Sequence, residues 1–353
     1  MKGYFSDWFE DKLEYLLYAA IILGAIYFAS TAFSNIQQAA QQVQLPTAVT
    51  PSQPSSPPKT LIRVGFMPRS RAAVFFVARE KGFFEGEGLD VQAVRYDLPS
   101  QNKMYTALNA GDLDFISPGN FVNVLENEYD APGAMKIDGL VGESKEHPTS
   151  FLIKRTEDSD LLTPTDVENS TIGVMSRSEI VFAKKYFESK NINISSLTFI
   201  IMPAEELSTS LSSHESRLVF TSEPYATQLL ATKNFSVFVS CPQCEFNNPF
   251  TDGPLLVVRP GFYQNNPNAV DAFRRAMNKA LIESRRDPEY TKRLIAKYTD
   301  VPVEFTLKSN LYSFYTSQET YALIPNAQKT IDVLEEDTGN HTNFMNLLLP
   351  RPS

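Results

Sequence analysis

The sequence predicts an α/β body with parallel sheets and crossover helices, carried behind an apolar N-terminal span and a flexible linker. Three observations predict it. Strand and helix signals alternate from residue 61 to 116, a second such series runs from 151 to 221, and an uncharged apolar run, Tyr15 to Phe33, is followed by a Gln-rich and then Pro/Ser/Thr-rich stretch.

The N-terminal elements come first. Nineteen residues without charge, Tyr15 to Phe33, would reach about 28 Å as a helix, close to the hydrocarbon thickness of a bilayer. The next stretch, Gln37 to Lys59, includes Pro46, Pro51, Pro54, Pro57 and Pro58 and cannot build a core around that helix. The run is therefore read as a transmembrane signal anchor (15–33) rather than a buried helix. Asp7, Glu10, Asp11 and Glu14 precede it, and its length exceeds that of a signal-peptide apolar centre, which favours retention over cleavage. Lys2 and Lys12 precede the span and nothing basic comes after it until Lys59, so residues 1–14 are expected on the cytoplasmic side, lying along the interface, and the body on the extracytoplasmic side. Residues 34–59 form the linker.

In the body, Leu61 to Phe66 reads as a buried strand and Ala72 to Lys81 as an apolar helix stopped by Gly82. Leu89 to Tyr96 (strand), Lys103 to Ala110 (helix, closed by Gly111) and Leu113 to Ile116 (strand) complete the first series. The second contains strands at Phe151 to Lys154, Thr171 to Met175, Thr198 to Met202 and Arg217 to Thr221, with helices at Ile180 to Lys190 and from Glu205. Leu255 to Arg259 is a strand able to return to the first sheet. Asn268 to Ser284 is an amphipathic helix with Val270, Phe273, Met277 and Leu281 on one stripe, a core face that needs no ligand.

Composition narrows the function. The 353 residues are 42% hydrophobic and 21% charged, enough for a sizeable core. A net charge of −9 with no long Lys/Arg run removes the electrostatic footprint that duplex nucleic acid requires. Cys241 and Cys244 form a lone Cys-x-x-Cys; in an exported body this reads as a local disulfide, and a redox dithiol would want an electropositive helix N-terminus that the Pro/Asn-rich surroundings do not suggest. Only His147, His214 and His341 are available, scattered in sequence, so neither a metal site nor a cofactor is expected. No Gly-x-Ser-x-Gly, His-Glu-x-x-His or phosphate-cradling Gly-x-x-x-x-Gly-Lys is present, and an enzyme is not expected.

A longer pattern adds to this. Arg63-Val64-Gly65-Phe66, Glu80-Lys81-Gly82-Phe83-Phe84 and Glu87-Gly88-Leu89-Asp90-Val91 are succeeded in order by Ala107-Leu108-Asn109-Ala110-Gly111-Asp112-Leu113-Asp114-Phe115, Ser222-Glu223-Pro224-Tyr225, and Val257-Val258-Arg259 leading to Pro267. Together they resemble the solute-binding proteins of ABC importers for sulfonates, taurine, nitrate and pyrimidine precursors. The resemblance implies a two-lobed periplasmic-binding-protein fold of type II. It also implies a small-molecule ligand held between the lobes and an ABC permease subunit as partner. Lobe one would comprise 60–149 plus 254–353 and lobe two 150–253. Pro68-Arg69 and Ala72 stand where pyrimidine-precursor members carry a Pro-Asn turn and a nearby His, which argues against that ligand.

Ligands of open α/β sheets sit beyond the carboxyl ends of strands, where helix N-termini present unpaired N–H groups. This rule selects the candidate binding residues. After the first strand come Arg69, Ser70 and Arg71, whose guanidinium groups suit carboxylate, sulfonate or phosphate, with solvation on the rim as the competing reading. After the third come Ser117, Gly119 and Asn120, with helix capping as the alternative. Ser176, Arg177 and Ser178 hold the equivalent turn of the second series, so that facing turns would clamp one anion from both sides. Glu223 and Tyr225 come after the last lobe-two strand, in a region that the resemblance places at the cleft, with a structural role at the turn as the alternative, and Glu143 is placed at the border of the cleft. The expected function is capture of a small anionic or zwitterionic organic solute for import. A tethered ligand sensor or scaffold is the alternative, and an enzyme making a pyrimidine precursor is the remote one.

Overall fold

The computed structural model describes residues 59–97, 100–336 and 338–351. The interfacial segment, the span and the linker up to residue 58 lie outside the described residues. The chain divides after Pro57, and Pro58–Ser353 makes one compact unit. Among the described residues no helix is long and apolar enough to cross a membrane.

Two sheets organise this unit. The first contains β1 (Thr60–Phe66), β2 (Leu89–Arg95), β3 (Phe115–Ile116), β4 (Lys136–Glu143), β10 (Phe250–Val258) and β11 (Ser313–Tyr315), in the order β11-β4-β10-β3-β1-β2. The second contains β5 (Ser150–Arg155), β6 (Thr171–Val174), β7 (Thr198–Ile201), β8 (Leu218–Ser222) and β9 (Phe235–Ser240), in the order β7-β6-β8-β5-β9. Each sheet repeats one plan. A parallel trio, β2-β1-β3 or β7-β6-β8, is flanked by an antiparallel strand, β10 or β5. The chain therefore passes from the first sheet to the second between β4 and β5, and returns between β9 and β10.

Helices supply the crossovers that parallel pairing requires. Helix α1 (Ala73–Glu80) is buried at every position from Ala73 to Ala78, as expected of a helix apolar all round. It ends where Gly82 takes φ 66°, and α2 (Gln101–Ala110) ends where Gly111 takes φ 84°, left-handed positions that suit glycine. Helix α3 (Phe121–Asp130) comes after β3, and α4 (Arg177–Ser189), α5 (Leu207–Ser212) and α6 (Tyr225–Leu230) serve the second sheet. Helix α7 (Pro267–Arg286) buries the stripe Val270, Phe273, Met277 and Leu281. The Phe273 ring stacks on Phe115 at 4.4 Å and on Phe84 at 4.8 Å, fixing α7 to the first sheet. Helices α8 (Pro288–Thr299) and α9 (Ile324–Glu335) come after α7, and Leu334 of α9 packs against cores on both sides of the crossing.

The expected strand returning to the first sheet is β10, which begins five residues earlier than the sequence suggests, at Phe250 rather than Leu255. Gly253-Pro254 looks like a breaker in sequence; here it is a register shift between Thr251 and Gly253 inside one continuous strand. Strands β4, β9 and β11 have no counterpart among the elements expected from sequence. Gly139 and Gly142 make β4 resemble a loop, yet both lie where other chain approaches closely: a Cβ on Gly142 would come within 2.2 Å of the Phe250 carbonyl oxygen.

Candidate functional site

The carboxyl ends of β1 and β6 meet across the two sheets. Beyond β1 the backbone stays extended at Arg69 (φ −131°, ψ 159°) and then coils through a short 3-10 turn, Ser70–Ala72, into α1. Beyond β6, Ser176 is extended and caps α4, its hydroxyl accepting from the Glu179 amide at 3.4 Å. The Glu179 carboxylate turns back, with Oε2 accepting from the Met175 amide at 2.6 Å. Its other oxygen, Oε1, accepts from Arg69 Nη2 at 2.8 Å, and the same Nη2 donates to Ser222 Oγ at 3.1 Å. Side chains of both members of the pair are 11% exposed. Burial disfavours the Arg69 charge, but Glu179, together with Tyr312 and Tyr225, more than offsets this and raises its pKa.

Ser70 joins the same seam, its hydroxyl donating to the Glu223 carbonyl at 2.5 Å. The Glu223 carboxylate serves the start of α6, accepting from the Thr227 amide at 3.1 Å and hydroxyl at 2.9 Å, and burial pushes its pKa up. Tyr225 lies two residues further on, at the wall of a large groove.

Arg71 is held within the first sheet's side. Its Nη2 donates to the Gly119 carbonyl at 2.8 Å and its Nε lies 2.9 Å from Asp252 Oδ2 on β10. Asn120 caps α3, its Oδ1 accepting from the Asn123 amide at 2.9 Å and, across the seam, from Ser178 Oγ at 3.4 Å. Ser117 donates to the Leu255 carbonyl at 2.9 Å, and the close approach that Gly119 permits is to β10, since a Cβ there would sit 2.5 Å from Val257. Arg177 stands on the rim, 64% exposed, pairing with Glu126 at 3.0 Å. Glu143 lies at the crossing between the sheets, its carboxylate gripping the Thr149 amide at 2.7 Å and the Ser150 amide at 2.9 Å; burial raises its pKa.

Arg69, Arg71, Asn120, Ser176 and Ser178 line one void of about 30 Å³, together with Glu179, Asp252 and Tyr312. That is room for about two water molecules. Arg69 and Tyr225 also border the large groove, about 940 Å³, whose apolar wall includes Pro68, Met175, Met202 and Leu229. Arg69 thus borders both a small polar void and a roomy, apolar-sided groove, whereas Glu179 lines the void alone. Ser70, Ser117, Gly119, Glu143, Arg177 and Glu223 border neither space.

The facing turns expected from the sequence are present, but the anion between them is the chain's own Glu179. Sequence reasoning did not single out Glu179, Asp252, Ser222 or Tyr312. For Glu179 a signal existed: Ser176-Arg177-Ser178-Glu179 has the spacing of a capping box, which places an acidic side chain at that helix start. Asp252 fits no such pattern.

Cys241 and Cys244 are joined by a disulfide. Among the described residues no group of three or more His, Cys, Asp or Glu gathers for a metal ion.

Two α/β sheets of one plan, with strand ends meeting across a seam, are the two-lobed fold of periplasmic binding proteins. The chain belongs to the NMT1/THI5-like family, whose model matches residues 70–291. Similar solved structures include the periplasmic aliphatic sulphonate binding protein SsuA from Escherichia coli, at TM-score 0.64 and 13% identity over 82% of this chain and 97% of that one. The periplasmic nitrate-binding protein NrtA from Synechocystis PCC 6803 is similar at TM-score 0.57 and 15% identity, over 74% of each chain. The desulfurization enzyme DSZB is similar at TM-score 0.62 and 14% identity, over 83% of this chain and 97% of that one. At these identities the likeness establishes the fold. No curated protein matches the sequence.

Proposed function

We propose that this chain is a solute receptor that captures a small anionic or zwitterionic organic molecule between two lobes and makes or breaks no bond in it. The observation that carries the reading is the meeting of two strand-to-helix turns at Arg69, with a buried guanidinium aimed from one lobe at a helix start of the other. Such a seam favours closure when a guest contacts both sides, because only the closed form satisfies both sets of groups. The lobes are taken as 60–149 plus 250–353 and 150–249, the second boundary four residues earlier than the sequence suggests because Phe250–Val258 is one strand of the first sheet, and they are joined by the β4–β5 and β9–β10 crossings. Both cysteines are committed to a disulfide, so in that state neither offers a nucleophilic thiolate.

The apolar run 15–33 and the Pro-rich stretch after it support a tethered receptor whose body stands off the extracytoplasmic face of a membrane. A permease of the ABC type is the partner that would report closure and accept the solute; the sulphonate- and nitrate-binding neighbours are consistent with that role. The test is a thermal-shift screen of the full chain in detergent against sulfonates, nitrate, amino acids and pyrimidines. A solute that raises the melting temperature should lose its effect in Arg69→Ala. A hit whose shift survives that substitution unaltered would contradict the assignment of the site.

A further inference from the structure

The receptor reading leaves the charge of the guest open, and the seam narrows it. Arg69 comes from the first sheet's side and Glu179 from the second, and they pair at 2.8 Å with little exposure. Arg71 is neutralised separately by Asp252, 2.9 Å away on β10, a strand of its own sheet, so that pair has no need to part when the lobes do.

Each class of guest acts differently on the interlobe pair. A plain anion that takes Arg69 strips the guanidinium from Glu179 and leaves a carboxylate in the seam with the Met175 amide as its partner. A plain cation that takes Glu179 strands Arg69 in the same way. Breaking a buried pair by supplying one partner only is strongly unfavourable, because the other charge stays desolvated and uncompensated. A molecule carrying both signs replaces one salt bridge by two and strands nothing. Resting on the receptor reading, we propose that Glu179 is a specificity-determining residue and that the guest is a zwitterion, its acidic group on Arg69 and its ammonium group on Glu179.

The surroundings fit such a guest. The polar void of about 30 Å³ that Glu179 lines is too small for an organic molecule, whereas the groove of about 940 Å³ is bordered by Arg69, so a guest reaches Glu179 from the groove only by displacing it from Arg69. Pro68, Met175, Met202 and Leu229 on its wall would cover a short carbon skeleton. Ser222, already on Arg69 at 3.1 Å, would remain as a hydroxyl neighbour for the acidic group. The guest enters from the groove and parts the Arg69–Glu179 pair at its own two ends.

Matched probes test this on the full chain by calorimetric titration. Taurine and isethionate share a sulfonate and differ in an ammonium against a hydroxyl group; β-alanine and 3-hydroxypropanoate form the same pair with a carboxylate. In the native chain at least one zwitterion should bind about tenfold or more tighter than its hydroxyl partner. Glu179→Gln, which keeps an oxygen for the Met175 amide, should erase or invert that ratio, and Glu179→Asp, which keeps the charge, should retain a preference. The native ratio needs no substitution, so it stands even if a variant fails to fold. A native chain in which neither zwitterion binds more tightly than its hydroxyl partner, or a ratio unchanged in Glu179→Gln, would overturn the proposal. If an anion alone binds and Arg69→Ala abolishes it, the receptor survives and this charge assignment falls. If none of the four binds, the assignment also falls, and the wider screen decides the receptor independently.

Discussion

The Glu143 carboxylate, at the end of β4, accepts both the amide and the hydroxyl of Ser150, the first residue of β5, at 2.9 and 2.6 Å. One strand belongs to the first sheet and the other to the second, so this contact straps the crossing itself. Glu143 is 1% exposed, and the Thr149 amide donates to it as well. Glu143→Ala should leave the Thr149 and Ser150 amides without this acceptor, the Ser150 hydroxyl keeping Gln243 Oε1 at 2.5 Å, at about 1–3 kcal/mol for each group left unsatisfied. Urea denaturation of native and variant chains measures the loss.

The same group gives a pH dependence of definite sign. Burial raises the Glu143 pKa above its ordinary 4.5; its Ser150 and Thr149 donors oppose the rise and Asp252 adds to it. Between 4.5 and the raised value the folded chain holds a proton that the unfolded chain has lost. This contribution to stability is therefore fully present below 4.5 and is lost as pH rises through the raised value. Glu143→Gln stays neutral throughout, so its stability relative to the native chain should increase from pH 4 to pH 7 in parallel denaturation series. A difference flat across that range would remove Glu143 as the titrating group.

Arg71 and Asp252, with side chains 10% and 11% exposed, form a strut between the β1 turn and β10. Asp252→Ala should cost about 3–5 kcal/mol, because it strands a buried guanidinium. Arg71→Met combined with Asp252→Leu should recover much of that, since apolar side chains of similar volume replace a buried pair at little net cost. The melting temperatures of the native chain and the two variants read this directly.

Gly119 is fixed by packing. A Cβ there would lie 2.5 Å from Val257 and 2.9 Å from the Tyr105 hydroxyl, both in the first sheet's core. Gly119→Ala should destabilise the chain by about 1–3 kcal/mol through overpacking. Denaturant midpoints at unchanged slope would identify a pure stability effect.

The parts of this fold that are legible in sequence are those whose signals are local. A run such as Leu61 to Phe66, then the apolar Ala72 to Lys81, then Gly82, carries strand, helix and stop within about twenty residues, and the structure has each. Strand β4 is not legible because Gly139 and Gly142 break its apolar run, although each is there to let another chain segment approach. The site divides in the same way. That the turns at Arg69 and Ser176 face each other accords with the plan of the two sheets. That Glu179 fills the space between them depends on side-chain direction across 110 residues of sequence, which no periodicity encodes.

The central claim is that two lobes close on a solute, and a distance between them tests it most directly. Leu162, 76% exposed beyond β5, and Ile282, 63% exposed on α7, lie on opposite sides of the crossing. Spin labels at cysteines replacing these two residues in the full chain report the separation by double electron–electron resonance. A solute that binds by calorimetry should narrow the distribution and shift it to one shorter distance. A distribution indifferent to a bound solute would contradict the account.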